Sequence, residues 1–377
     1  MKPEFDLQAY LSGGVERMIR RALRAALTNP AQSVFLLQFA AASKRAAEKR
    51  AALERTGKHI PPFLIASISE QCNLHCAGCY ARSQKSCQDA HTEQLLPTET
   101  WRRIFEESKE LGISFILLAG GEPLMRRDVL LQAAAFPEIL FPVFTNGTLM
   151  NGAYADLFAQ RRNLLPVLSI EGDEGQTDGR RGAGVYQKLL AAMELLHSKK
   201  VMFGVSITVT TQNQPVVISD EFLNRLAALG CSVVFYVEYV PVTEDSASLA
   251  PGEAERAVMA DRLAVLREAY PQLLFVSFPG DEIASQGCLA AGRGFFHINP
   301  QGAAEPCPFS PYSDCNVRDR SLSAALDSAL FHKLQSGGLL TERHDGGCVL
   351  FRHKQEVAFL LAQETPAASH TVSPPDA

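Results

Sequence analysis

Phe63-Leu64-Ile65-Ala66-Ser67-Ile68-Ser69, running on through Glu70-Gln71 into Cys72-Asn73-Leu74-His75-Cys76-Ala77-Gly78-Cys79-Tyr80, decides how this chain is read. The first seven residues are apolar and β-prone, and Pro61-Pro62 imposes an extended backbone just before them. Comparable runs recur at 113–119, 139–145, 164–170, 202–209 and 232–239, with helical patterns between them near 98–111, 127–135, 152–159, 185–198 and 220–228. Near-continuous apolar strands separated by helices are the signature of a parallel sheet covered on both faces. Six such units predict an α/β fold, a partial or open (β/α)6 TIM-like barrel short of the eight units needed for closure. Chemistry in such folds sits on the loops that follow the strands, and the three cysteines stand on the first of them.

Outward from this core, residues 14–28 read as an amphipathic helix, with Val15, Met18, Ile19 and Leu23 on one side and Arg17, Arg20, Arg21 and Arg24 around the other. Asn29-Pro30 stops it, and a second helix over about 31–56 ends at Gly57. A helix at about 252–270 carries Val258, Met259, Leu263, Leu266 and Tyr270 at packing spacing. Residues 286–362 change character, with four cysteines and Gly- and Pro-rich turns. The expected divisions are a helical extension (1–58), the barrel core (59–245), a helical and strand linker (246–285), a small cysteine-bearing module (286–362) and a disordered tail (363–377).

The net charge of -5 argues against a general nucleic-acid binder, which needs a basic surface. Residues 1–60 depart from this balance, with four Lys and seven Arg against five acids. That segment reads either as a docking arm or as solvated helix faces. No apolar core of a signal peptide is visible at the N-terminus, and the longest apolar stretches are too short to span a bilayer. A cytoplasmic protein with no membrane span is expected, in which nine cysteines favour metal ligation over disulfides.

Three thiolates within eight residues suit a cubane cluster with one iron left open, whereas zinc would want a fourth protein ligand, for which His75 and Cys87 are the candidates. Gly120-Gly121-Glu122-Pro123 follows the second strand, Thr145-Asn146-Gly147-Thr148 the third, and Ser169-Ile170-Glu171-Gly172 ends the fourth. Asp178-Gly179-Arg180-Arg181-Gly182 comes next. Together with the CxxxCxxC loop, these segments resemble the radical S-adenosylmethionine (radical SAM) superfamily over roughly residues 63–240. The resemblance implies a 4Fe–4S cluster on Cys72, Cys76 and Cys79, with S-adenosylmethionine bound by Gly120, Gly121, Glu122, Pro123, Asn146, Ser169, Glu171 and Arg181. Paired glycines allow close backbone approach, and a carboxylate can accept from the methionine ammonium. An Arg fork suits the cofactor's carboxylate, a role open to Arg181 or Arg180. Asn146-Gly147 reads equally well as a tight turn. Two departures stand out: Glu171 where the family usually has Asp, and Gly78 where many members place an aromatic before the third cysteine.

Cys288, Gly302 and Cys307 have the C-x13-G-x4-C spacing of SPASM/twitch-type modules, which implies one auxiliary 4Fe–4S cluster on Cys288, Cys307, Cys348 and, as a less secure fourth ligand, Cys315. Cys231 reads as a buried small hydrophobe, His297 and His353 as satisfied structural residues, and Cys87 has no assigned role. Glu238 and Tyr239, at the end of the sixth strand, are candidates to meet substrate, and strand pairing alone explains Tyr239 equally well. By resemblance the chemistry is reductive cleavage of S-adenosylmethionine to a 5′-deoxyadenosyl radical, fed by a one-electron donor such as flavodoxin or ferredoxin. The resemblance favours a peptide or protein substrate, with oxidation or decarboxylation of a small molecule as the alternative; an electron-transfer iron–sulfur protein and a zinc-binding protein are the readings of another class. The helical N-terminus lacks the strand-containing peptide-recognition domain of many peptide-modifying members.

Overall fold

The computed structural model describes residues 6–26, 29–89, 95–241, 244–341 and 348–363, so the tail from 364 lies outside the described residues. Two helices come first. In α1 (Leu7–Ala25) the Asp6 carboxylate caps the N-terminus by accepting from Ala9 N–H, and in α2 (Pro30–Glu54) Asn29 does so for Gln32, with Pro30 at the first helical position. There follow β1 (Phe63–Ser69), α3 (Tyr80–Ser83), α4 (Thr98–Leu111), β2 (Phe115–Gly120), α5 (Arg127–Ala133), β3 (Phe141–Thr145), α6 (Gly152–Gln160) and β4 (Leu164–Ser169). The chain continues through α7 (Glu174–Arg181), α8 (Val185–Ser198), β5 (Phe203–Val209), α9 (Gln214–Val217), α10 (Asp220–Ala228), β6 (Cys231–Glu238), α11 (Glu253–Ala269) and β7 (Leu274–Phe278). Two short strands, β8 (His297–Ile298) and β9 (Ala304–Glu305), complete the sheet.

Its order is β7-β6-β5-β4-β3-β2-β1-β8-β9, parallel throughout except for the β8–β9 pair. All six expected strands are present, in an open α/β sheet. It also extends at both edges. The segment expected as a linker supplies β7, and the cysteine-bearing module is joined to the barrel wall where β8 pairs with β1. A two-residue strand carries no periodicity, which is why β8 is not readable from sequence.

Strand alternation sorts side chains into two cores. On the outer face, Leu64, Ala66, Ile68, Ile116, Leu118, Phe141, Phe203 and Val205 join Trp101, Phe105 and Leu189 of the surrounding helices. On the inner face, Phe115, Leu165, Val167, Val233 and Leu274 meet Val15, Ile19, Phe35, Leu36 and Phe39, so α1 and α2 pack against the inner wall of the barrel. Phe39 is 1% exposed and stands edge-on to Phe115, with ring centroids 5.3 Å apart. Arg17, Arg20, Arg21 and Arg24 lie on the exposed side of α1, as a solvated helix face would. Toward the strand ends the same inner face turns polar, with Ser67, Ser69, Ser169, Ser206 and Thr208. Among the described residues no helix is long and apolar enough to cross a membrane.

Because Phe39 joins helix to barrel, Phe39→Ala should destabilise the metal-free protein by about 3–5 kcal/mol in urea unfolding. Leu37→Ala, on the exposed side of the same helix (60% exposed), should stay within about 0.5 kcal/mol. An unmoved midpoint for Phe39→Ala would show that the helices are not part of the core.

Candidate active site at the barrel mouth

Cys72 lies three residues beyond β1, and Cys79 is the residue that opens α3. The backbone between them is held from several directions. Arg82, on the single turn of α3, folds back so that Nη2 donates to the carbonyls of Cys72 (3.1 Å) and Leu74 (2.9 Å), while Nη1 donates to Asp89 (2.9 Å). Ala77 N–H donates to the Arg180 carbonyl (2.8 Å), and Arg180 Nε donates back to the Ala77 carbonyl (3.2 Å). Asn73 donates to Thr148 Oγ1 (2.8 Å) and accepts from Asn146 Nδ2 (2.9 Å), which also reaches Cys72 Sγ at 3.7 Å. His75 is exposed and pairs with Asp89 at 3.1 Å.

Gly120 and Gly121 are explained by the neighbouring strand end. Gly121 N–H donates to Ser69 O and Glu122 N–H to Gln71 O, both at 2.7 Å, and a Cβ on either glycine would overlap the Ser69 or Gln71 carbonyl. Glu122 is 1% exposed. Its Oε1 accepts from Leu124 N–H (2.9 Å) and the Thr145 hydroxyl (2.6 Å), and its Oε2 from Asn146 N–H (2.7 Å). The carboxylate expected to meet an ammonium therefore braces the ends of β2 and β3. Pro123 is buried and opens the short turn that follows. Asn146 serves both readings offered for it: Oδ1 accepts from Thr148 N–H (3.0 Å) as in a turn, while Nδ2 reaches the cysteine loop.

At the end of β4, Ser169 and Ser206 share a hydroxyl contact at 3.1 Å. Glu171, 2% exposed, is enclosed by both arginines: Oε1 accepts from Arg180 Nη1 (2.5 Å) and from Arg181 Nε (2.9 Å) and Nη2 (2.5 Å), and Oε2 from Thr208 N–H (3.1 Å). The longer acidic residue at this position thus anchors the two arginines rather than facing the mouth. Burial opposes the charge of Arg181, yet the neighbouring charges of Glu171 and Cys76 raise its pKa. Two guanidiniums about one carboxylate leave a net positive charge near Cys76.

That charge bears on the thiols. Burial pushes Cys72 up to about 11, with Glu122 and Cys76 adding to it. Burial also raises Cys76, while Arg181 and Arg180 pull it back. Three thiols on one tethered loop, with positive charge beside Cys76, are a donor set that fits an iron–sulfur group. Among the described residues no three His, Cys, Asp or Glu converge as ligands of one ion would, and a cluster instead places each thiolate on its own iron.

A second thiol group lies in the module. Cys307 is raised by its hydrogen bond to Cys348, by burial and by the charges of Cys348 and Cys288, while that hydrogen bond lowers Cys348. Cys315 has Asp314 and Arg320 as its charged neighbours. Tyr80 lies between the two cysteine sets: burial raises its phenol, the charges of Cys79 and Cys307 both act on it, and its ring meets Phe309 at 5.0 Å. Cys231 is buried and donates to Val233 O at 3.3 Å, as a small structural thiol. His297 is buried between Ser67 (2.8 Å) and Glu305 (2.7 Å). Sequence reasoning missed Arg82, although an Arg three residues after the last cysteine is within a helical turn's reach of the loop carbonyls.

Gly121→Ala should cost about 1–3 kcal/mol, read as a lower urea midpoint, because the methyl group meets a backbone carbonyl that has no rotamer to yield. Gly152→Ala, with nothing within 4 Å, should not lower the midpoint. Equal midpoints for the two variants would contradict the close approach of the β1 and β2 ends.

Residues 66–214 match the family described as the Radical SAM superfamily. The AdoMet-dependent heme synthase of Methanosarcina barkeri is 25% identical over 326 residues, which cover 79% of this chain and 90% of that protein. The PqqA peptide cyclase of Rhizobium meliloti is 25% identical over 281 residues, 70% of this chain and 73% of that one. Among solved structures, Streptococcus suis SuiB bound to S-adenosylmethionine has the same fold, with a TM-score of 0.63 at 18% identity over 81% of this chain and 77% of its own.

Proposed function

Because the chain belongs to the radical SAM superfamily, we propose that Cys72, Cys76 and Cys79 hold a 4Fe–4S cluster, with which the enzyme cleaves S-adenosylmethionine and takes a hydrogen atom from its substrate. The observation that carries this reading is the cysteine loop itself, fixed at the barrel mouth by Arg82, Arg180 and Asn146 with positive charge behind Cys76. When bound, the reduced cluster supplies one electron that splits S-adenosylmethionine into methionine and a 5′-deoxyadenosyl radical. The chain's part is to bind, orient and exclude water. Arg181 is assigned the carboxylate end of the cofactor, with Ser169 beside it, and the main chain of Gly120, Gly121 and Pro123 its ammonium end. Glu122, Asn146 and Glu171 hold these partners in place. The helices packed on the inner wall keep water from the base of the barrel.

Cys288, Cys307 and Cys348 are proposed to hold an auxiliary 4Fe–4S cluster, with Cys315 left out of the ligand set. Supporting this are the hydrogen bond between Cys307 and Cys348 and the charge of Cys288 acting on Cys307, whereas the charged neighbours of Cys315 are Asp314 and Arg320. A flavodoxin or ferredoxin in the cytoplasm would supply the electron. For the substrate, relatives such as the peptide cyclase support a peptide. A second reading, a small molecule of the tetrapyrrole class, is favoured by the heme synthase, which is matched along 90% of its length, and by the absence of any strand before β1 among the described residues.

The function is tested by anaerobic incubation of the reduced, reconstituted enzyme with S-adenosylmethionine and candidate substrates. Wild-type protein should form 5′-deoxyadenosine, and Cys76→Ala should form none. A rise above the uncoupled background with a peptide or with a tetrapyrrole decides between the two substrate readings. Near wild-type product from Cys76→Ala would overturn the assignment. For the auxiliary site, the variant with Cys72, Cys76 and Cys79 all changed to Ala should still take up about four irons per chain. Adding Cys315→Ala should leave that count unchanged, whereas adding Cys348→Ala should abolish it. A folded but iron-free triple variant would show that no auxiliary cluster exists.

A further inference from the structure

Gly78 sits between two of the assigned cluster ligands in a left-handed conformation, with φ at 66°. The space beside it is filled from the opposite part of the barrel mouth. A Cβ built on Gly78 would lie 2.5 Å from the hydroxyl oxygen of Tyr239 and 2.9 Å from its ring Cε2. Tyr239 directly follows β6 and extends its pairing with β5, its N–H donating to Val209 O at 2.9 Å. The residue is 3% exposed, and its hydroxyl is buried with no hydrogen-bond partner in the protein. Tyr236, three residues earlier, shows the ordinary arrangement, its hydroxyl donating to Val217 O at 2.7 Å.

A buried phenol without a partner is costly, and phenylalanine would fill the same volume without that cost. What the hydroxyl faces is the cysteine loop. We propose that Tyr239 is a positioning residue of that site, its O–H hydrogen-bonding the group held there, either a sulfur of the cluster or an atom of S-adenosylmethionine placed against it. The inference rests on the reading of Cys72, Cys76 and Cys79 as cluster ligands. It also makes Gly78 and Tyr239 one feature, since any side chain at position 78 would displace the hydroxyl. The bare position in the loop and the tyrosine at the end of β6 are then two parts of a single exchange.

The test compares anaerobically reconstituted full-length wild type with Tyr239→Phe. Tyr239→Phe should take up as much iron as wild type, and its metal-free form should melt no lower, because only an unpartnered hydroxyl is removed. If the hydrogen bond goes to a cluster sulfur, the reduction potential measured without S-adenosylmethionine moves to a more negative value, since a donor stabilises the more negative reduced cluster. An exchangeable-proton coupling seen by electron–nuclear double resonance in wild type is then lost as well. If it goes to the cofactor, potential and coupling stay and the dissociation constant for S-adenosylmethionine rises about three- to tenfold. Gly78→Ala, which keeps the phenol but pushes it aside, should reproduce whichever change is found. Unaltered potential, coupling and affinity in Tyr239→Phe would overturn the assignment. Equal iron in wild type and in the variant with Cys72, Cys76 and Cys79 all changed to Ala would overturn the cluster reading instead, and that comparison tells the two failures apart.

Discussion

Backbone hydrogen bonds between the ends of β1 and β2 hold the cysteine loop at the mouth of the barrel, and much else in the site follows from them. Gly121 and Glu122 donate to Ser69 and Gln71 at 2.7 Å, a separation that only glycine at positions 120 and 121 allows. From that point the chain has eight residues in which to present three thiols. Arg82 takes up the carbonyls of Cys72 and Leu74, and Arg180 exchanges hydrogen bonds with Ala77, so the loop is tied at both ends through its main chain. Loops that carry chemistry usually gain precision from such ties rather than from burial.

Charge in the site is arranged in the same economical way. Two acidic side chains, Glu122 and Glu171, are buried with every described contact directed inward, where they order the ends of β2, β3 and β4. Because Glu171 holds both Arg180 and Arg181, the surplus positive charge is kept close to Cys76. Burial makes the Cys72 and Cys76 thiolates costly in the metal-free chain, and a bound cluster would relieve that cost, so metal loading and loop order are expected to rise together. The polar inner rim and the apolar base sealed by α1 and α2 divide the barrel into a reacting end and a structural end.

Much of this was readable from the sequence where a side chain alone carries the signal. Burial on both faces writes strands such as Leu164–Ser169 as apolar runs, and the cysteine and Gly-Gly segments fall at strand ends while the Arg-Arg pair closes α7. Other parts were not readable, for physical reasons. The two-residue strand at His297–Ile298 joins the module to β1 through main-chain bonds that no residue pattern encodes. Arg82 and Arg180 act on carbonyl oxygens, which every residue possesses. Glu122 and Glu171 were expected to face the cofactor, and their inward direction depends on Thr145, Asn146 and Thr208, which the fold brings to them. The pairing of Gly78 with Tyr239 joins residues on opposite sides of the mouth.

Every role proposed at the barrel mouth depends on the loop of Cys72, Cys76 and Cys79 binding a cluster that receives S-adenosylmethionine. Electron paramagnetic resonance of the anaerobically reconstituted, reduced Cys348→Ala protein, which lacks the proposed auxiliary cluster, recorded before and after adding S-adenosylmethionine, tests it most directly. A reduced 4Fe–4S signal that changes shape when S-adenosylmethionine is added, and that is missing once Cys76→Ala is combined with Cys348→Ala, is the result the account predicts. A signal untouched by S-adenosylmethionine, or one that survives intact in that double variant, would contradict it.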